Sequence, residues 1–178
     1  MIFKSRSNIN DVLWNKCIAN SINSLVYANT WYLDAVTENW DAYVWETEFE
    51  YTAVFPIPNK SKLGLKYVYP PFFIQQLGLF STDDNIEEYT RLVLTQIEID
   101  FKFTELNLNW KSNFGQVKTN IILSLDKHYI ELLEGFSNNH KRNLKKAQKK
   151  PFTYNSNINV ASIISNFRNN KGAEVLTL

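Results

Sequence analysis

The chain has 178 residues, 44% of them hydrophobic and 15% aromatic, and its 19 Lys and Arg stand against 18 Asp and Glu for a formal net charge of +1. Such a composition excludes an intrinsically disordered chain, confines any strong positive charge to a local patch, and suffices for one packed domain or for one domain and the opening of another. A single cysteine, Cys17, excludes an internal disulfide, and no Cys or His cluster with zinc-site spacing surrounds His128 or His140, so no metal is expected.

The opening "MIFKSRSNINDVLW" has no apolar run of signal-peptide length, and no segment approaches the roughly 20 apolar residues that span a bilayer. The expectation is a soluble cytoplasmic protein, with attachment to a membrane surface left open. Asn10 is placed to cap a first helix whose apolar face is Leu13 and Cys17, with Val12 and Ala19 beside them. A short helix follows around "TWYLDAV". The aromatic and β-branched runs "WDAYVWET" and "EYTAVFPIP", joined by an acidic connection, predict a β-hairpin. Pro56 and Pro58 push its second strand toward an edge or an ending.

"LGLKYVYPPFFIQQLGLFS" reads as two extended pieces broken at Pro70 and Pro71. Asp84 and Glu87 have capping-box spacing before a helix with Ile86, Tyr89, Val93 and Ile97 on one face. In "IDFKFTELNLNW" the apolar phase shifts from Phe101 and Phe103 to Leu106, Leu108 and Trp110, which predicts a strand with a bulge near Thr104 and Glu105. "KSNFG" then makes a turn and "QVKTNIILSL" returns as the partner strand. Asp126 is expected to cap a helix bearing Tyr129, Leu132, Leu133 and Phe136, ended by Gly135. A basic segment follows and stops by about Lys150 because of Pro151. "FTY" is a short strand, and Asn159 starts a last helix with Val160, Ile163, Ile164 and Phe167 on one face, closed near Gly172.

The basic segment, "HKRNLKKAQKK", carries six Lys and Arg and no acid. With Lys141 at zero and about 100° per residue, Arg142, Lys145, Lys146, Lys149 and Lys150 fall within roughly half the wheel, opposite His140, Leu144 and Ala147. One half is thus cationic and the other is free to pack. A solvated face is the plain reading, since like charges at i and i+4 cost only a few tenths of a kcal/mol. Solubility, however, is served by mixed charges, so a face with no acid points to an anionic ligand, phosphate above all. A helix-turn-helix with Arg142, Asn143 and Gln148 as base readers is the weaker alternative, because its predicted neighbours are strands.

Elsewhere the chemistry is sparse. "QQLGLF" weakly matches the pyrophosphate-cradling loop of GNAT acyltransferases, but Phe80 replaces the final small residue and no helix begins there, so a structural strand is the stronger reading. Asp34, Glu105 and His128 are possible acid or base groups, each with an ordinary structural role open to it, and no catalytic constellation emerges. Tyr67, Tyr69, Phe72 and Phe73 read first as core filling. As walls of a substrate groove, Tyr69 and Phe72 would be joined by Gln75 and Gln76.

In order along residues 1–150, "YANTWYLDAV", "WDAYVWE", "AVFPIPNKSKLGLKYVYPPFFIQQLGLFS" and "YIELLEGFSNNHKRNLKKAQK" resemble the N-terminal half of Fem-type proteins, relatives of peptidoglycan cross-bridge aminoacyltransferases within the GNAT superfamily. The resemblance implies an α/β fold of mostly antiparallel, GNAT-like sheet flanked by helices, with residues 1–150 as an N-terminal domain and 151–178 as the first strand and helix of a second. It implies acyl or aminoacyl transfer from coenzyme A or a charged tRNA to an amine, by positioning and a polarised carbonyl. On this reading Lys141, Arg142, Lys145, Lys146 and Lys149 meet a phosphate-bearing substrate or tRNA. It also implies a longer chain than one ending at Leu178, so this one is expected to be truncated, inactive alone, and covered at its last apolar stripe by a missing second half or a homodimer partner. The alternative is a non-catalytic phosphate- or RNA-binding module.

Overall fold

The computed structural model of the protein describes residues 1–111, 113, 115–153, 157 and 159–172, with backbone alone at 160, 164, 171 and 172. The chain divides into two units, Met1–Lys118 and Thr119–Leu178.

The first unit is a mixed α/β structure around an open, mostly antiparallel sheet. Strands β1 (Ile2–Ser5), β2 (Trp40–Glu46), β3 (Tyr51–Lys62), β4 (Leu65–Val68) and β6 (Phe103–Thr104) lie in that order, and β5 (Phe80–Ser81) pairs with β3. Every pairing is antiparallel except that of β4 with β6. Helices α1 (Asp11–Asn20) and α2 (Thr30–Val36) cover one face, where Trp14, Cys17, Ile18 and Leu33 pack on Trp40, Ala42, Val44 and Val54. The Trp14 and Trp40 rings meet at 5.1 Å. On the other face α3 (Ile86–Asp100) sets Ile86, Val93 and Ile97 against Tyr43, Ala53, Phe55 and Ile57. Full burial of each Val, Leu, Ile or Phe side chain among these contributes about 1.5–3 kcal/mol.

Asn10 caps α1 as expected, its Oδ1 accepting from the amides of Val12 and Leu13 at 3.0 and 3.1 Å. The inward face differs from the expected one. Trp14, Cys17 and Ile18 are buried at i, i+3 and i+4 with Leu13 half-buried, whereas Val12 and Ala19 face solvent. At α3 the expected capping box does not form: Asp83, not Asp84, accepts from the Asn85 amide at 2.9 Å and binds the Ser81 hydroxyl at 3.1 Å.

Pro56 and Pro58 do not end β3, which runs on through them for 12 residues. The register supplies the reason. The Asn59 amide donates toward β2, to Asn39, while the Pro58 carbonyl accepts from Tyr69 on the opposite side. By alternation both prolines aim their donorless nitrogens away from β2, into a gap where β5 pairs only Ala53 and Val54 and β4 begins only at Asn59.

The expected hairpin after α3 is absent among the described residues. β6 has two residues, and the following chain lies beside 77–79, with the Leu77 amide donating to Asn107 at 2.7 Å and Asn109 Nδ2 donating to the Leu79 carbonyl at 2.9 Å. "QVKTNIILSL" forms no strand, and Val117, Ile121, Ile122, Leu123 and Leu125 are exposed. Alternation shows which face of a strand would be apolar, but a strand exists only with a neighbour. Ser112 and Phe114 of the expected turn lie outside the described residues.

The second unit contains α4 (Tyr129–Glu134), α5 (Asn138–Gln148) and α6 (Val160–Phe167), the last followed by a wider turn over Arg168–Gly172. None of its described side chains is buried. His128, rather than Asp126, stands at the start of α4 and makes no side-chain cap; Asp126 instead binds the Ser124 hydroxyl. Gly135 ends α4 as expected, although with ordinary helical backbone. Asn159 caps α6 through the Ala161 amide at 2.9 Å. Phe152 and Thr153 form no strand, and Tyr154 of that expected strand lies outside the described residues, as do the side chains of Val160 and Ile164.

Candidate functional site

The cationic face falls on α5. Ser137 starts the helix, its Oγ accepting from the His140 amide at 3.3 Å and lying 2.9 Å from His140 Nδ1. Two of the cations are anchored locally. Lys141 Nζ donates to the Glu134 carbonyl at 2.8 Å, meeting a C-terminal orphan acceptor of α4, and Arg142 Nη2 donates to Asn139 Oδ1 at 2.7 Å. Lys145 and Lys146 occupy the last turn, where the helix dipole favours positive charge, and Lys149 is the C-cap. Among the described residues none of these five cations has an acid within ion-pair distance. The opposite half of the wheel does not pack as expected: Leu144 is half-buried, and His140 and Ala147 are exposed. With no buried residue in α4 or α5, the pair also lacks the packed body of a helix-turn-helix.

The residues expected to wall a groove separate into two sets. Tyr69 and Gln76 line a small cleft with Pro58, Pro70, Pro71 and Ile74, while Phe72 and Gln75 point to solvent. Its volume is about 10 Å³, room for one water. Lys60 Nζ sits 5.0 Å from the Tyr69 ring centre, and burial pushes the Tyr69 hydroxyl above its ordinary value against the opposing effect of that lysine. In "QQLGLF" Gly78 lies against Asn109, where a Cβ would overlap the amide, and Phe80 is a buried β5 residue. That loop is occupied by its own packing.

The three candidate acid or base groups resolve differently. Asp34 accepts from Arg6 Nε at 2.8 Å, Arg6 Nη2 at 2.7 Å and Trp40 Nε1 at 2.8 Å. The guanidinium holds its carboxyl below the usual range, with Trp40 adding to that effect and partial burial opposing it. Arg6 also pairs with Asp11 at 2.8 Å and stacks over Trp40 at 5.1 Å, so Asp34 is the centre of a structural clasp. Glu105 and His128 are exposed. Cys17 is buried, and that burial raises its thiol to about 11.

One polar arrangement escaped the sequence reading. Asp41 and Asn59, 5% and 1% exposed, hydrogen bond at 3.0 Å across the β2–β3 pair; Asn39 Nδ2 donates to Asn59 Oδ1 at 2.8 Å, and Lys66 lies 3.7 Å from Asp41. Its signal is an acid inside the apolar run "WDAYVWE" in phase with Tyr43, hence on a buried face. Nearby, burial first and the Asp100 carboxylate second push the Tyr43 hydroxyl upward; that hydroxyl donates to Asp100 at 2.5 Å. Every member is paired, which makes this a rigid polar end to the sheet and not a reactive centre.

Among the described residues no group of three or more His, Cys, Asp or Glu is placed to hold a metal ion, and no helix is long and apolar enough to cross a membrane. Comparison of the chain with family models, curated proteins and solved structures finds no match.

Proposed function

We propose that the chain is the substrate-binding half of an N-acyltransferase or aminoacyltransferase of the Fem type, with a GNAT-like fold. The observation that carries the reading is the α5 face, where Arg142, Lys145, Lys146 and Lys149 are exposed and no acid answers them among the described residues. Its ligand is the phosphate of an acyl-coenzyme A, a tRNA or a phosphorylated acceptor. The chemistry is attack of an amine on a thioester or ester carbonyl, with the thiol or alcohol leaving. The chain alone is expected to bind without turnover.

A second reading, a non-catalytic phosphate- or RNA-binding module, is favoured by the water-sized volume of the Tyr69 cleft, which has no room for an acyl group. Titration with an acyl-coenzyme A, with tRNA and with polyphosphate, in low and in physiological salt, separates the two. The half-enzyme requires saturable preference for one defined ligand, reduced at least about tenfold in Lys145→Glu/Lys146→Glu/Lys149→Glu. Indiscriminate polyanion binding that falls steeply with salt identifies the module and rejects the enzyme.

A further inference from the structure

From Tyr51 to Thr82 the sequence holds Lys60, Lys62 and Lys66 and no acid. The β3–β4 hairpin sets Lys60 opposite Tyr67 and Lys62 opposite Leu65. Since Val54 packs under α1 and α2, the two-residue period puts both lysines and their partners on that same face of the sheet. Lys60 reaches Glu38, just beyond α2, at 3.4 Å, and Lys62 has no ion-pair partner among the described residues.

The same face carries large uncovered aromatics. Tyr32 of α2 packs against the core there, its ring meets Trp31 at 5.7 Å, and its hydroxyl donates to the Phe73 carbonyl at 2.8 Å. Trp31, Phe72 and Phe73 are 59%, 58% and 70% exposed. Phe73 has a φ of 68°, a left-handed conformation that is strained for a bulky L residue. Two prolines precede the Phe pair and the Tyr32 bond follows it, so the loop is held rigidly in a conformation that presents apolar rings to solvent. Strain retained at such a place is grounds for a functional hypothesis.

We propose that this face docks on an anionic lipid bilayer, with Trp31, Phe72 and Phe73 entering the interfacial region and Lys60 and Lys62 lying at the headgroups. Charge complementarity selects the partner, because the hairpin contributes no acid to this face and, among the described residues, Lys62 has no ion-pair partner and Lys60 meets Glu38 as its one acid. A bilayer is favoured over a nucleic acid by Leu63 and Leu65, 95% and 55% exposed. Aliphatic side chains give bases nothing to stack on, whereas a bilayer interior takes them up. Trp and Tyr beside Phe match the side chains that settle at a membrane interface. Apolar insertion and lysine attraction are the two signals that reversible anchoring needs. This inference stands apart from α5 and from the function proposed above.

The test uses the full chain carrying Lys145→Glu/Lys146→Glu/Lys149→Glu, so that α5 does not supply the attraction, and vesicles of phosphatidylcholine with or without phosphatidylglycerol. Flotation is expected to show partition onto the phosphatidylglycerol vesicles with a blue shift of tryptophan emission that Trp31→Phe removes. Adding Phe72→Ser/Phe73→Asn lowers the partition at least about tenfold. Asn tolerates a positive φ, so this variant keeps the fold, checked by its thermal transition. Lys62→Glu lowers partition about fivefold or more. The proposal is overturned by absence of partition, by partition indifferent to Phe72 and Phe73, or by an oligouridylate whose binding depends on those two residues and which strips the protein from the vesicles.

Discussion

Arg6, Asp34 and Trp40 tie the N-terminal turn, α2 and β2 together through one carboxylate, and that concentration makes Asp34 a sensitive position. Asp34→Ala strips the Trp40 indole of its acceptor and leaves Arg6 with Asp11 alone, which should destabilise the fold by about 1–3 kcal/mol in urea unfolding. Asp34→Asn keeps an acceptor and costs less. The folded carboxyl titrates below its unfolded value of about 3.9, so its contribution is complete above that value and is lost as pH falls through the lower folded one. The gap between wild type and Asp34→Asn, clear at pH 7, should therefore begin to narrow below about pH 4 and close only as pH falls through the lower folded value. Leu63 behaves oppositely. It is 95% exposed with a φ of 52° in the two-residue turn between β3 and β4, beside Gly64 at 77°. Such a turn requires positive φ at both centres. Leu63→Asn removes much of a strain of about 1–2 kcal/mol and should raise the unfolding midpoint. Cys17, buried with its thiol raised to about 11, should react with a thiol reagent only as fast as the protein unfolds.

At the scale of elements, α5 shows what a helix rich in charge and poor in packing depends on. Its 11 residues are fewer than an isolated helix needs in water, and none is buried. Ser137→Ala, which removes a cap worth about 1 kcal/mol, should lower helicity by far-UV circular dichroism while leaving the main thermal transition in place. The elements legible from sequence were those specified by their own residues: the Asn10 cap, the β2–β3 hairpin, and the Ile86, Val93 and Ile97 stripe of α3. Those misread depend on neighbours. Pro56 and Pro58 are harmless in β3 because their nitrogens face away from β2, on the side where neither β4 nor β5 has a residue in register with them, a matter of where those strands begin. Four-residue β1 shows no alternation long enough to detect, and exists through its register with β2. "QVKTNIILSL" has a strand's pattern without a strand's partner. The candidate site divides in the same way: charge identity placed the cations on α5, while the split of Tyr69 and Gln76 from Phe72 and Gln75 follows from a loop path set by Phe73 and Tyr32.

For the whole molecule, both apolar clusters lie within Met1–Lys118, while no described side chain of Thr119–Leu178 is buried. Apolar burial is the dominant favourable term in folding, so the cooperative unfolding reaction belongs to the first unit. Two measurements follow. In native-state hydrogen exchange the amides of β2, β3 and α3 should approach the protection of global unfolding, whereas those of α4 and α5, whose hydrogen bonds are covered by no buried side chain, should exchange through openings that cost far less. Removing residues 119–178 should then leave the midpoint of thermal unfolding within about 3 °C, a shift that corresponds to less than about 1 kcal/mol in a domain of this size. The same truncation removes α5. A chain that keeps its transition and loses its polyanion affinity would place stability in the first unit and the phosphate contacts in the second. Loss of the transition would instead mean that the first unit does not fold on its own and that the cooperative reaction is not confined to it.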